Sequence, residues 1–295
     1  TKTAIISPSK REGIDVDYKF LQVMLDTPTV DDKPTCGNIL TAVGVFALER
    51  GLCNIEDGET IVKIYDVNTG AIITQIIQTP NRTISYKGSQ SIAGVPGSAA
   101  PIELFFKNIT GGKTGHYLPT GNKRDIINGI EISCLDISMP VVFVKASDLD
   151  ITGHEAPEEL NINKVLFQEI EDIREQASHL MGLGSAKGNV IPKIAVVSSA
   201  KSEADINIRY FTPYETHPSI AVSAAFCVAV GSFIEGTLLN EIKSNDLKEG
   251  SYTVCVENPS GITKVDVSFP SLDISKVEGK TTRTARLLFN GEVYV

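Results

Sequence analysis

The alternation of apolar and polar residues runs through one order of elements twice. In the first pass, residues 17–23 (Asp-Tyr-Lys-Phe-Leu-Gln-Val) alternate like a strand and lead into Thr35-Cys36-Gly37-Asn38. Apolar residues then fall at positions 39, 40, 43, 46, 47 and 48, a spacing that predicts a helix over 39–52, with Gly51 placed to stop it. Two strand-like runs, 61–66 and 71–77, flank a turn at Asn68-Thr69-Gly70 and predict a hairpin. The second pass repeats the order. Residues 206–211 alternate, Thr216-His217-Pro218-Ser219 precedes an apolar helix predicted over 220–234, and Gly236 is placed to end it. Runs at 252–256 and 262–269 then flank a turn at Asn258-Pro259-Ser260-Gly261. At this offset Thr35 matches Thr216, Cys36 matches His217 and Asn38 matches Ser219.

Between the passes, glycine- and proline-marked loops lead to the strand-like Val141-Val142-Phe143-Val144. Residues 158–181 then read as a surface helix, with Val165, Leu166, Ile170, Ile173, Ala177 and Leu180 on its apolar face and Gly182 at its end. The loop Gly182-Leu183-Gly184-Ser185-Ala186-Lys187-Gly188 is rich in glycine, but no strand feeds it, so it does not predict a nucleotide site. The pattern predicts an α+β protein of two similar domains, 1–136 and 137–282, with a final strand-like run at 285–295 returning to the first.

Composition fits two cores of ordinary domain size: the chain has 295 residues, 42% of them hydrophobic. A formal net charge of -9, with no run of Lys or Arg, argues against nucleic acid or an anionic membrane surface as partner. The longest apolar stretch, 220–234, is shorter than the roughly 20 residues that span a bilayer. No export leader opens the sequence, and the five cysteines are scattered without a CxxC pair. The expectation is a cytoplasmic protein with reduced thiols, no disulfide frame and no zinc or other metal site. An oligomer is compatible with all of this.

Both central helices are apolar nearly all round, so each is expected to present only its N-terminal end to a site. Two such ends facing each other would offer free N–H groups and positive dipole ends to one anion, and a small polycarboxylate suits them. Cys36 falls at the start of the first helix, where a thiolate is favoured over a thiol, unlike a cysteine buried for packing. Gly37 lets a ligand approach the backbone, and Asn38 can cap or bind. His217 and Ser219 become candidates through the repeat; a packing or capping role is the plainer reading of such a histidine.

Thr35-Cys36-Gly37-Asn38 before a long apolar helix, Leu118-Pro119-Thr120-Gly121-Asn122, Ile234-Glu235-Gly236-Thr237 and the Asn258-Pro259-Ser260-Gly261 turn together resemble the 2-methylaconitate cis-trans isomerase (PrpF-type) family. That resemblance spans the whole chain. It implies the diaminopimelate-epimerase fold, two pseudo-symmetric domains each with a curled, mostly antiparallel sheet around a central helix. It also implies cofactor-independent allylic proton transfer on unsaturated di- or tricarboxylates such as 2-methylaconitate, aconitate or methylitaconate. By the same resemblance Lys2, in Thr1-Lys2-Thr3, and Cys36 are the working pair, with Gly37, Asn38, His217, Ser219, Ser260 and Gly261 toward the substrate. Thr1 replaces the family's serine, Asn258 stands where relatives often carry histidine, and relatives have several dozen residues before that lysine. A two-cysteine racemase would need a thiol where His217-Pro218 stands, and a carboxylate-binding or scaffolding protein remains the non-catalytic alternative.

Overall fold

The computed structural model describes residues 2–23, 28–33, 35–213 and 215–292. The first half runs through β1 (Lys2–Pro8), β2 (Val16–Val23), a short β3 (Val30–Asp31), α1 (Gly37–Leu40), α2 (Val43–Glu49), β4 (Gly58–Asp66) and β5 (Ile72–Thr79). It closes with a small separate hairpin, β6 (Gln90–Ile92) and β7 (Val95–Ala99), and with β8 (Ile102–Lys107). A connection of β9 (Asp125–Ile127), β10 (Ile130–Ile137), β11 (Met139–Lys145), α3 (Pro157–Ile162) and α4 (Lys164–Leu180) follows. The second half is β12 (Lys193–Ser198), β13 (Ile206–Phe211), α5 (Val222–Gly231), α6 (Leu238–Ile242), β14 (Gly250–Asn258), β15 (Gly261–Phe269) and β16 (Glu278–Arg283).

One mostly antiparallel sheet joins the halves in the order β1-β2-β4-β5-β8, then β16-β15-β14-β13-β12, with β11-β10-β9 at the far edge. Outward from the β8–β16 junction the two halves are alike. In each, a hairpin (β4–β5 or β14–β15) lies next to the junction strand. Beyond it comes a parallel neighbour (β2 on β4, β13 on β14) and then an antiparallel one. The helical segment lies between β2 and β4 in one half and between β13 and β14 in the other. β16 hydrogen-bonds to β15 on one side and to β8 on the other, so the sheet has no gap at the junction. The strand-like run at 285–295 is not a strand: residues 284–292 form none, and 293–295, like Thr1, lie outside the described residues. Residues 136–140, where the sequence suggests a domain break, span the turn between β10 and β11.

The first central helix departs from expectation. Instead of one helix over 39–52 there are two short ones, and the cause is a side chain from β5. Gln75, fully buried, donates from Nε2 to the Leu40 carbonyl at 2.7 Å and accepts the Gly44 N–H at 2.9 Å. Those two groups are the partners of one i→i+4 helical bond, so the amide is inserted into the ladder, a recognised origin of helix kinks. Gly44 makes room for it: a Cβ there would lie 2.4 Å from Gln75 Oε1. Gly51, at φ +66°, ends the segment as expected.

The second central helix is shorter than 220–234. Every residue of α5 except Ser223 is buried, as its uninterrupted apolar composition requires. The surface helix is also divided, because Asn163 ends α3 and its side chain accepts the Leu166 N–H to start α4. Leu166, Ile170, Ile173 and Ala177 pack beneath α4, whereas Val165 and Leu180, placed on that face by the periodicity, are exposed. Along β10–β13 alternate residues separate into two cores. Leu135, Val141, Phe143 and Val197 face the core shared with α5, and Cys134, Val142, Val144 and Val196 face α4.

Candidate active site

The Cys36 loop is held by hydrogen bonds from β2, β4 and the turn after β4. Thr35 donates to Asp66 Oδ2 at 2.6 Å, and Asn68 clamps β2 through both backbone groups of Phe20. The buried Tyr18 hydroxyl donates to the Cys36 carbonyl at 3.3 Å. Burial pushes that phenol far above its ordinary range, so it stays a donor. Cys36 has extended backbone and is the N-cap of α1, with its carbonyl accepting the Leu40 N–H at 2.9 Å. Lys2, at the start of the edge strand β1, reaches over so that its Nζ lies 3.7 Å from Cys36 Sγ. Residues 34 positions apart in sequence are thus brought together as a donor and an acceptor of one proton.

The starts of α1 and α5 meet beside this pair. A Cβ on Gly37 would lie 3.1 Å from Val222 Cβ. The correspondence of His217 with Cys36, however, does not hold in space: the N-cap of α5 is Ala221, four residues further on. Thr216 bridges back to Phe211, the His217 N–H binds the Tyr210 carbonyl at 2.7 Å, and Ser219 N–H donates to His217 Nδ1 at 3.0 Å. These bonds spend the segment on a turn against β13, so the helix cannot begin there. Burial lowers the pKa of His217, which leaves its ring neutral at neutral pH with Nδ1 as acceptor.

A cleft of about 160 Å³ is lined by Lys2, Cys36, Gly37, Asn38 and His217. Ser219 and Ser260 instead line an adjoining groove of about 1010 Å³ that shares Asn38 and His217 with the cleft, and Gly261 lines neither. Asn258 ties this wall together, its Oδ1 accepting from the Ser219 hydroxyl at 3.2 Å and from the Ser260 N–H at 3.1 Å. Gly261 supplies the turn geometry, at φ +122°.

Sequence reasoning missed most of the cleft's charge. Among the described residues its charged lining is three lysines, Lys2, Lys113 and Lys193, with no carboxylate. In a chain of net charge -9 this is a local reversal of sign. Lys113 donates to the Asn68 carbonyl at 2.7 Å and stands near Asp66 and Asp136, whose pKa values are raised by burial. Asp136 Oδ2 accepts the N–H groups of Lys113 and Thr114 and the Thr114 hydroxyl. Met139 and Ser223 are further wall residues, the Ser223 hydroxyl donating to Met139 Sδ at 3.0 Å. A lone cation opening the otherwise apolar run Ile194-Ala195-Val196-Val197 was the one local signal for Lys193.

A duplicated, mostly antiparallel sheet packed around a buried helix defines an epimerase-like fold. A hydroxyproline epimerase from Agrobacterium vitis shares that fold, with a TM-score of 0.56 at 12% identity over 96% of this chain and 72% of that one. The chain belongs to the PrpF family, whose sequence profile, described as PrpF protein, matches residues 1–295. It is 40% identical to a 4-oxalomesaconate tautomerase of Pseudomonas putida, over all of this chain and 81% of that protein. The crystal structure of a methylitaconate-delta-isomerase superposes with a TM-score of 0.84 at 30% identity, covering all of this chain and 81% of that one. Among the described residues, no helix is long and apolar enough to cross a membrane.

Proposed function

We propose that this protein isomerises a small unsaturated di- or tricarboxylate by moving a proton across an allylic unit, with Lys2 and Cys36 as the acid–base pair. The observation that carries the reading is the 3.7 Å contact between Lys2 Nζ and Cys36 Sγ in a cleft whose charged lining, among the described residues, is all lysine. A carboxylate bound there is met by positive charge, so the carbanion that forms beside it is an extended enolate held by fixed donors. One member of the pair takes the proton from carbon, and the double bond shifts toward the carboxylate. The other member then returns a proton at the far end of the allyl unit. No electrons are lost or gained, and return to the original carbon after rotation gives the cis-trans product instead. Acids of the aconitate, methylaconitate, methylitaconate and oxalomesaconate kind all meet these requirements, and the names of the relatives point the same way.

A racemase working with two opposed thiols is disfavoured because Ala221 occupies the helix start that the second thiol would need. A carboxylate-binding protein without turnover is separated by one experiment. The purified protein is mixed with trans-aconitate or methylitaconate in deuterated water and the carbon-bound protons are followed by NMR. Allylic protons exchange if the reading is right; binding without exchange of any carbon-bound proton rejects it.

A further inference from the structure

We propose that Lys193 anchors the third carboxylate of a tricarboxylate, and so sets a preference for trianions over dianions at this cleft; the proposal rests on the polycarboxylate reading above. The three lysines of the cleft are not equivalent. Lys2 donates to the Cys36 thiol and Lys113 to the Asn68 carbonyl. Lys193, among the described residues, has neither a hydrogen bond nor an ion pair for its ammonium group, although it lines the cleft. A half-buried ammonium without a partner is costly, and an incoming carboxylate removes that cost.

The groups that face it are accounted for. On α4, Arg174 is held by Glu171 at 2.6 Å and by the carbonyls of Ala186, Asn189 and Pro192. Arg174 is therefore spent on fixing the loop that delivers Lys193, and it repels the ammonium rather than neutralising it. Lys2 on β1 and His217 beyond β13 add no negative charge, and Asp31 on β3 and Glu171 are the acidic groups that act on it. Burial first, then Arg174 and Lys2, bring Lys193 down to about 8. The anchor is charged at neutral pH and loses its charge above that value.

The test is calorimetric binding of trans-aconitate, with three carboxylates, and of mesaconate, with two. In Lys193→Met the dissociation constant for trans-aconitate is expected to rise about 30-fold, the scale of one lost charged hydrogen bond, and that for mesaconate by about threefold or less. In the unmutated protein, raising the pH from about 7 to about 9 should weaken trans-aconitate relative to mesaconate, because a lysine held near 8 deprotonates across that interval. Lys193→Gln and the pH titration decide the matter if Lys193→Met does not fold. Equal weakening of both acids, no weakening of trans-aconitate, or an unmutated protein that binds trans-aconitate no better than mesaconate overturns the proposal. Failure of the isomerase reading appears separately, as absent proton exchange with the affinity ratio still measurable.

Discussion

Gly37 and Val222 hold the two halves in register at the cleft: they are the first residues of α1 and α5, and a methyl group on Gly37 would sit 3.1 Å from Val222 Cβ. That spacing is tighter than ordinary van der Waals contact, so Gly37→Ala must move Cys36 or the α5 start by a few tenths of an ångström. Displacements on this scale misalign reacting atoms, and kcat/KM is expected to fall about tenfold with only a small change in thermal midpoint. Gly37→Val should be worse. Full activity in both variants would show that the approach of the helix starts is incidental to turnover.

The Gln75 insertion makes a separate prediction about stability. Replacing Gln75 with Leu leaves the Leu40 carbonyl and the Gly44 N–H facing an apolar group where an amide had served both. A loss of about 1–3 kcal/mol is expected in urea unfolding, the usual cost of stranding buried polar groups. An unchanged unfolding midpoint would mean that the two backbone groups re-pair directly and that the kink costs nothing to remove.

These two contacts also show what the sequence could and could not tell. Strands and hairpins were legible because their period and their Asn-Thr-Gly and Asn-Pro-Ser-Gly turns are local, and the repeated order followed from them. The division of the first central helix was not, since its cause stands 31 residues away on a strand, in the Gln75 amide. The matching of His217 to Cys36 failed for a similar reason. Counting residues from one motif to the next cannot register a four-residue turn pinned to Tyr210 and Asn258. Cys36 was legible from its place at the start of an apolar helix, whereas Lys2 came only from a family resemblance, its local pattern carrying no signal. Lys113 and Lys193 lie in unrelated segments that only the folded chain brings to one cleft.

Cysteine labelling tests the thiol assignment. Burial raises the other four thiols, Cys53 to about 11 and Cys134, Cys227 and Cys255 above their ordinary value. Cys36 is partly exposed and opens onto the cleft. Iodoacetamide at neutral pH should therefore alkylate Cys36 first, and trans-aconitate should slow that reaction alone. Peptide mass spectrometry reads the order directly; labelling spread evenly over five cysteines would contradict it.

Asp136 gives a pH dependence whose sign can be worked out. Its carboxyl is buried, with Oδ1 lacking any hydrogen-bond partner among the described residues, and its pKa is raised mainly by burial. Between the ordinary carboxylate value and the raised one, the folded state holds a proton that the unfolded chain has released, so stability falls as pH rises through that window. Below it both states are protonated and the term vanishes. Asp136→Asn removes the titration, so in urea unfolding the variant should gain on the unmodified protein as the pH rises above the ordinary carboxylate value. A difference between the two proteins that does not vary with pH would place the burial cost elsewhere.

The Lys2–Cys36 contact carries the most exposed prediction. If the two groups hand one proton across the substrate, Cys36→Ser should keep carboxylate binding nearly intact while turnover falls roughly 100-fold or more, the scale of losing a positioned proton-transfer group. Serine keeps the shape and the hydrogen bond to Lys2 but is a far weaker acid, so the loss would report chemistry and not packing. Lys2→Met should lose turnover to a similar degree and bind somewhat less tightly, because one of the three cleft lysines is gone. The double variant should be scarcely worse than either single one, since residues that act as one unit fail together. Losses that multiply would mean that each acts on its own, with Lys2 as a charge for the carboxylate and Cys36 as the only proton-transfer group. A Cys36→Ser protein with undiminished exchange in deuterated water would remove the thiol from the reaction and leave the start of α1 as a binding element.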